Sequence, residues 1–415
     1  MEDRYVRRDV RTPARADAWD DASLAYARAV GAMQARPPED PTSWAAQAAL
    51  HRCCPRGTWF FLPWARMQLW YLERILRAIV VESGGPRDWA LPFWSYGDGP
   101  ASAALPRAFA APALPDGSPN PLYRADGERA ACLNAGRPLP DAVTSAARAL
   151  AARTFSPGLG GDPGIPGEAA DTAPPGLLEA QPHDTVTAVL GANASLDPVF
   201  PMHLANVDRL WEVWLARGEG RANPAHFDWA DRAFCFHDFD GRPRSLTCGQ
   251  VGDLANLDYG YAGLPGPTRD ERVLKPGADC GPVVGRGGRR AQIAGGEGIE
   301  LGPEPRRLAL CPAADGPLAD GGARVYLSVE DAEGGGVPGG VWEVRVEGGD
   351  GAAAVGTIAL GGAAAGGRRF VFDVTDAIAG AGDPMVVSFH PALPPGFLVE
   401  PAPTARVGRV ALMRA

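Results

Sequence analysis

At 415 residues the chain is too long for one ordinary core, so two or three domains are expected. Hydrophobic residues make up 46% and charged residues 21%, a balance that excludes a disordered chain. The net charge of −9 leaves no attraction for nucleic acid or an anionic membrane, so neither is an expected partner.

The start, Met1-Glu2-Asp3-Arg4-Tyr5-Val6-Arg7-Arg8, has no apolar stretch of the signal-peptide kind. No run approaches the ~20 apolar residues that span a bilayer, so a cytoplasmic protein is expected. A polar helix follows, with Tyr26, Val30 and Met33 at helical spacing, and it breaks at Arg36-Pro37-Pro38. A second helix starts near Ser43-Trp44 and runs to His51. From Trp64 to Val81 the positions Trp64, Met67, Trp70, Tyr71, Ile75 and Leu76 recur at three- and four-residue steps, which predicts a long buried helix. Residues 97–175 are rich in Pro, Gly and Ala, with a short helix near Asp141–Ala152. Further helices begin close to Pro182-His183 and near His203, the latter running to Ala216 with Val207, Leu210, Trp211 and Trp214 on one face.

After Arg221 the pattern changes. Phe234–His237 reads as a strand running into the Asp240-Gly241 turn. Residues 262–304 read as a Gly/Pro-rich linker. The remainder alternates as strands at Val325–Val329, Trp342–Val346, Val355–Leu360, Phe370–Val374, Met385–Phe389 and Val407–Leu412, the spacing of a small sandwich. The expected fold class is multi-domain α + β: a helical-bundle domain over 1–222, a linker region over 223–304 and an all-β sandwich over 305–415. The seven cysteines are scattered and odd in number, which excludes a disulfide framework.

The run Gly57-Thr58-Trp59-Phe60-Phe61-Leu62-Pro63-Trp64-Ala65-Arg66-Met67 resembles the first copper-site signature of the tyrosinase and polyphenol oxidase family. Asp197-Pro198-Val199-Phe200-Pro201-Met202-His203-Leu204-Ala205-Asn206-Val207-Asp208 is similar to the second. Asp228-Trp229, Tyr259-Gly260-Tyr261, Phe370–Val374 and Arg406–Val410 resemble the later parts of the plant-type members. The resemblance implies a four-helix bundle followed by a C-terminal β-domain that covers the mouth of the site. It also implies oxidation of o-diphenols to quinones by two copper ions, each held by three neutral imidazoles.

Only six histidines are present, and the family pattern lands on two of them. His51 falls at the first ligand of one copper and His183 at the first ligand of the other. The remaining positions carry Arg56, Ala65, Thr187 and Leu204. An arginine has no lone pair to give, and alanine and leucine have no donor atom. His203 matches the member of the family's paired histidines that does not bind metal. Arg66 and Asp208, which brace the family's metal helices, are both present. Glu179 stands where plant members orient a water, and Asp184 where the family often has an asparagine. No cofactor is expected on this ligand count, copper entering only through the resemblance.

Three readings follow. The first is a family member with a degenerate dicopper site whose cavity takes a small phenolic molecule. The second is a copper-independent acid–base or cyclisation enzyme working through Glu179, His183, Asp184, His51 and Arg56. The third is the family's own o-diphenol oxidation. Glu179 and His183, at i and i+4, read equally as an acid–base pair and as a helix-start pair. Arg56 reads either as a binder of a substrate carboxylate or phenolate or as a partner of Glu179 or Asp184 that plugs the former metal cavity.

Overall fold

The computed structural model describes residues 5–11, 19–97, 99–125, 129, 131–161, 175–264, 291–312, 325–334, 340–348, 351–360, 368–375, 377–378, 385–393, 397 and 402–414. Five helices carry the first region. Helix α1 is Asp21–Gln34, capped by the Asp20 carboxylate on the Ser23 amide, and α2 is Trp44–Leu50, capped by the Ser43 hydroxyl on the Ala46 amide. Helix α3, Phe61–Glu82, is buried on almost every face, as its run of aromatics requires. Helices α4 (Thr185–Leu190) and α5 (Phe200–Ala216) complete the set. The helix expected over Asp141–Ala152 is two short ones, Asp141–Thr144 and Ala147–Ala151.

One apolar core joins residues from Tyr26 to Tyr261 and takes in Leu393 and Phe397 from the second region. It therefore takes in much of the stretch expected as a linker. The hairpin of β2 (Ala233–His237) and β3 (Pro243–Thr247) sits here. So does β4 (Tyr259–Tyr261), which pairs in parallel with β1 (Tyr5–Arg7) at the start of the chain. Residues 265–290, the middle of the expected linker, lie outside the described residues. Among the described residues no helix is long and apolar enough to cross a membrane.

The second region is one eight-stranded antiparallel sheet in the order β10-β7-β12-β5-β6-β11-β8-β9. Its strands are β5 (Ala291–Leu301), β6 (Arg306–Pro312), β7 (Val325–Gly334), β8 (Val341–Gly348), β9 (Gly351–Ala359), β10 (Arg368–Asp373), β11 (Met385–Pro391) and β12 (Ala405–Arg414). Two sets of four strands join through only two residue pairs between β5 and β6, Ala294 with Pro312 and Gly295 with Cys311. The sheet doubles over at that joint, so strands at opposite ends of the order meet. A Cβ at Gly356 of β9 would lie 2.1 Å from the ring of Phe372 on β10. Only glycine lets these two strands approach so closely. Val344, Val346, Val410 and Leu412 share the single core inside.

Candidate functional site

Three short pieces of backbone bring the sequence-selected residues together. His51 opens the 3-10 turn His51–Cys53 at the end of α2. Arg56 follows on the loop into α3. Glu179, His183 and Asp184 lie on the turn that leads into α4. That turn is not a regular helix: Gln181 is extended (φ −154, ψ 125) because it precedes Pro182, and a residue before proline is pushed out of the helical region.

The kink separates Glu179 from His183, which corrects the expectation of an i, i+4 pair. Glu179 turns instead to the Gly57 amide, which donates to both of its oxygens at 3.1 and 2.9 Å. His183 turns to Asp184, with Nδ1 at 2.9 Å from Oδ1. Arg56 then joins the two carboxylates, bonded to Asp184 Oδ1 and 3.8 Å from Glu179 Oε1. A second guanidinium arrives from the β-domain: Arg368 of β10 donates to Asp184 Oδ2 at 2.7 Å. No local signal marks Arg368 as a site residue, since 184 positions separate it from Asp184.

The imidazoles form a second group. The ring centres of His51 and His183 lie 5.6 Å apart, as do those of His183 and His203. Phe200 meets His51 edge-on at 4.7 Å, and Phe61 meets His183 at 4.7 Å. His51 Nδ1 is 3.4 Å from the Gln68 carbonyl oxygen. His203 has both nitrogens engaged, Nδ1 with the Tyr96 hydroxyl at 3.0 Å and Nε2 with the His183 carbonyl at 3.3 Å. The Nε2 atoms of His51 and His183 are buried and have no partner among the described residues.

Burial sets the charge states. It lowers His51 to about 3, helped by His183 and Arg56, and it also lowers His183 and His203, so all three rings are neutral. Burial and the neighbouring Asp184 push Glu179 up to about 8. Asp184 is held well below the usual carboxylate range: burial opposes its charge, but Arg56 and Arg368 outweigh it.

The four positions expected to replace ligands make other contacts. Arg56 is tied to carboxylates, Ala65 and Leu204 belong to the core, and the Thr187 hydroxyl donates to the His183 carbonyl at 2.7 Å. Leu204, Gln68, Trp44, Gln47 and Phe200 line a cavity of about 330 Å³, which neither Arg56 nor His183 borders. The other histidines stand apart: His226 caps the short helix Phe227–Ala230, His237 ends β2, and His390 lies on β11.

The family model for the common central domain of tyrosinase matches residues 26–130 and 139–217. A tyrosinase of Hahella sp. is 34% identical over 289 residues, which cover 58% of this chain and 61% of that protein. The region over residues 26–217 belongs to the tyrosinase and polyphenol oxidase family. The chloroplastic (+)-larreatricin hydroxylase of Larrea tridentata is 28% identical, covering 57% of this chain and 46% of that protein. The chain thus spans about half to three-fifths of these curated relatives. Two solved structures share the fold over 100% of this chain. A latent aurone synthase has a TM-score of 0.64 at 18% identity over 90% of its own length, and latent apple tyrosinase has 0.64 at 19% over 97%.

Family membership corrects the expectation of no cofactor, because it points to copper. Two tyrosinase-family residues fit that metal. His51 and His183 offer buried, unpartnered Nε2 atoms on neutral rings, and imidazole is a good copper ligand. Arg56, Ala65, Thr187 and Leu204 add no nitrogen lone pair. The side chains fit two imidazole donors, not two sets of three.

Proposed function

We propose that this tyrosinase-family protein does not assemble the paired-copper oxidase centre and that its cavity takes a small, single-ring phenol. The observation that carries this reading is Arg56: at a copper-ligand position it presents a guanidinium tied to Asp184 and Glu179. A fixed cation there opposes a second metal ion and supplies no donor. The cavity beside Gln68 supports an apolar ligand through its lining. Leu204, Trp44 and Phe200 give it apolar walls. Copper bound at His51 and His183 would supply redox chemistry with O2, the activity that the relatives' names suggest.

Calorimetric titration of the purified protein with phenol and catechol tests the binding. Saturable binding that Leu204→Trp abolishes in a folded variant is the expected result. Two bound coppers per chain, with catechol-dependent oxygen uptake, would overturn the reading. A second reading keeps one observation in its favour. Glu179, pushed up to about 8 by burial and the neighbouring Asp184, keeps its proton at neutral pH, as a general acid must. Metal-free turnover of a phenol, lost in Glu179→Gln, would favour it.

A further inference from the structure

We propose that Arg56 and Arg368 together form a binding site for one small organic carboxylate, held across the seam between the helical region and the β-domain. The two side chains come from opposite sides of that seam, Arg56 from the loop into α3 and Arg368 from β10. They meet on one residue: Arg56 donates to Asp184 Oδ1, and Arg368 donates to Asp184 Oδ2 at 2.7 Å. Two guanidinium groups are therefore neighbours across a single carboxylate, and both stay permanently charged. Asp184 neutralises only one of them. Glu179 stands 3.8 Å from Arg56 but, pushed up to about 8, adds no charge at neutral pH. The cluster keeps a surplus positive charge.

Hydrogen-bond donors are left over as well. Among the described residues Arg56 hydrogen-bonds only to Asp184, and Arg368 only to Asp184 and the Ala359 carbonyl. Each guanidinium has further N–H groups to give. Both side chains are partly exposed, so the spare donors are within reach of a ligand from solvent. A carboxylate suits them best: its two coplanar oxygens match the fork of guanidinium N–H groups, and its single negative charge balances the surplus. A dianion such as phosphate would add an uncompensated negative charge beside the buried Asp184. The net charge of −9 gives the chain no general attraction for anions, so binding has to come from this pair. Neither arginine borders the cavity beside Gln68, so the inference goes beyond the phenol reading.

The test is calorimetric titration of the full chain with sodium acetate, acetamide and sodium phosphate, at neutral pH and fixed ionic strength. One acetate per chain is expected, with phosphate and acetamide, the uncharged molecule of similar shape, each at least about 10-fold weaker. Arg56→Gln and Arg368→Gln should each lower acetate affinity by roughly 10-fold or more. Arg153→Gln, which removes an exposed arginine paired with Glu219, should leave it unchanged. On the wild-type protein, saturating acetate should slow amide exchange in 179–184 and 368–373, because the ligand ties the two sides of the seam together. Wild-type protein that binds no acetate, takes acetamide or phosphate as tightly, or shows no change in exchange overturns the proposal, whether or not a variant folds. So does full affinity in folded Arg56→Gln and Arg368→Gln. Folded Leu204→Trp, the variant that tests phenol binding, should keep its acetate; loss there would place the acetate in the phenol cavity and overturn the proposal. Either idea can therefore fail alone.

Discussion

The network around Arg66 and the cluster around Arg56 are made from the same side-chain types within one core, yet they are completed differently. Arg66 uses its whole guanidinium inside the protein: Nε on Asp208 at 2.6 Å, Nη2 on Glu212 at 2.6 Å and Nη1 on the Val251 carbonyl at 3.0 Å. Asp208 also receives the Tyr259 and Tyr261 hydroxyls at 2.6 and 2.5 Å, and Arg7 links it to Glu73. Around Arg56 the closure is incomplete. The Arg56 and Arg368 side chains keep 25% and 18% exposure, and two imidazole nitrogens beside them have no partner among the described residues. The first network is a frame that holds α3, α5, β1 and β4 together. The second is more open, and it stands beside a closed frame in the same core.

If that contrast is right, breaking the frame should cost most. Asp208→Ala leaves Arg66 and Arg7 as buried cations without their shared carboxylate, and we expect a loss of about 3–5 kcal/mol in urea unfolding. A loss near that of an ordinary surface substitution would mean that the frame is not what holds the helices. The next effect lies in the β-domain. Gly356→Ala puts a methyl group where Phe372 stands, at 2.1 Å, and should cost about 1–3 kcal/mol by forcing the doubled sheet apart. The melting of that domain should shift while the imidazole site is unchanged.

The sequence made the first region legible wherever side-chain periodicity carries the fold. Aromatics at three- and four-residue steps located α3 to within a few residues of its ends, and the same held for α5. Strands β7 to β12 alternate apolar and polar residues and were read in place. Strand β5 was missed. Its Gly295, Gly296 and Gly298 dilute the alternation, yet its backbone pairs with β12 all the same, because a ladder bond needs no side chain. The site divides in a similar way. His51, His183, Arg56, Ala65, Thr187 and Leu204 were picked out from the motifs. Arg368, Gln68 and Tyr96 were not, since each reaches the site through tertiary packing alone. Arg7 escaped notice too, a charged residue in a polar opening that the fold buries completely.

Proton linkage gives a smaller effect that separates the two clusters. Glu179 rises from an ordinary 4.5 to about 8, so the folded protein keeps a proton that the unfolded chain releases. Its contribution is fully present below 4.5 and is lost as pH rises through about 8. His51 runs the other way: lowered from 6.5 to about 3, it contributes fully above 6.5 and its share is lost as pH falls toward 3. Between 4.5 and 6.5 the two slopes oppose each other, and above 6.5 Glu179 acts without His51. Urea midpoints between pH 6.5 and 8 should therefore fall in the wild type, by at most about 1.4 kcal/mol per pH unit for this one group. Glu179→Gln cannot titrate and should flatten that limb. An unchanged slope in the variant would assign the pH dependence elsewhere.

Arg368→Gln should have the smallest effect on stability, and it tests the contrast most directly. It removes one of two guanidinium groups from Asp184, while Arg56 still neutralises that carboxylate. Because Arg368 is partly exposed, its loss should cost about 1 kcal/mol or less, well below the cost of Asp208→Ala. What should change is the seam between the domains. Arg368 also donates to the Ala359 carbonyl at 2.7 Å, so it ties both β9 and β10 to the turn that carries His183. Amide hydrogen exchange in 179–190 should quicken in the variant while exchange in α3 stays slow. Uniform slowing or quickening of both would mean that site and frame form one cooperative unit, and the distinction between an open cluster and a closed one would then be only a matter of geometry.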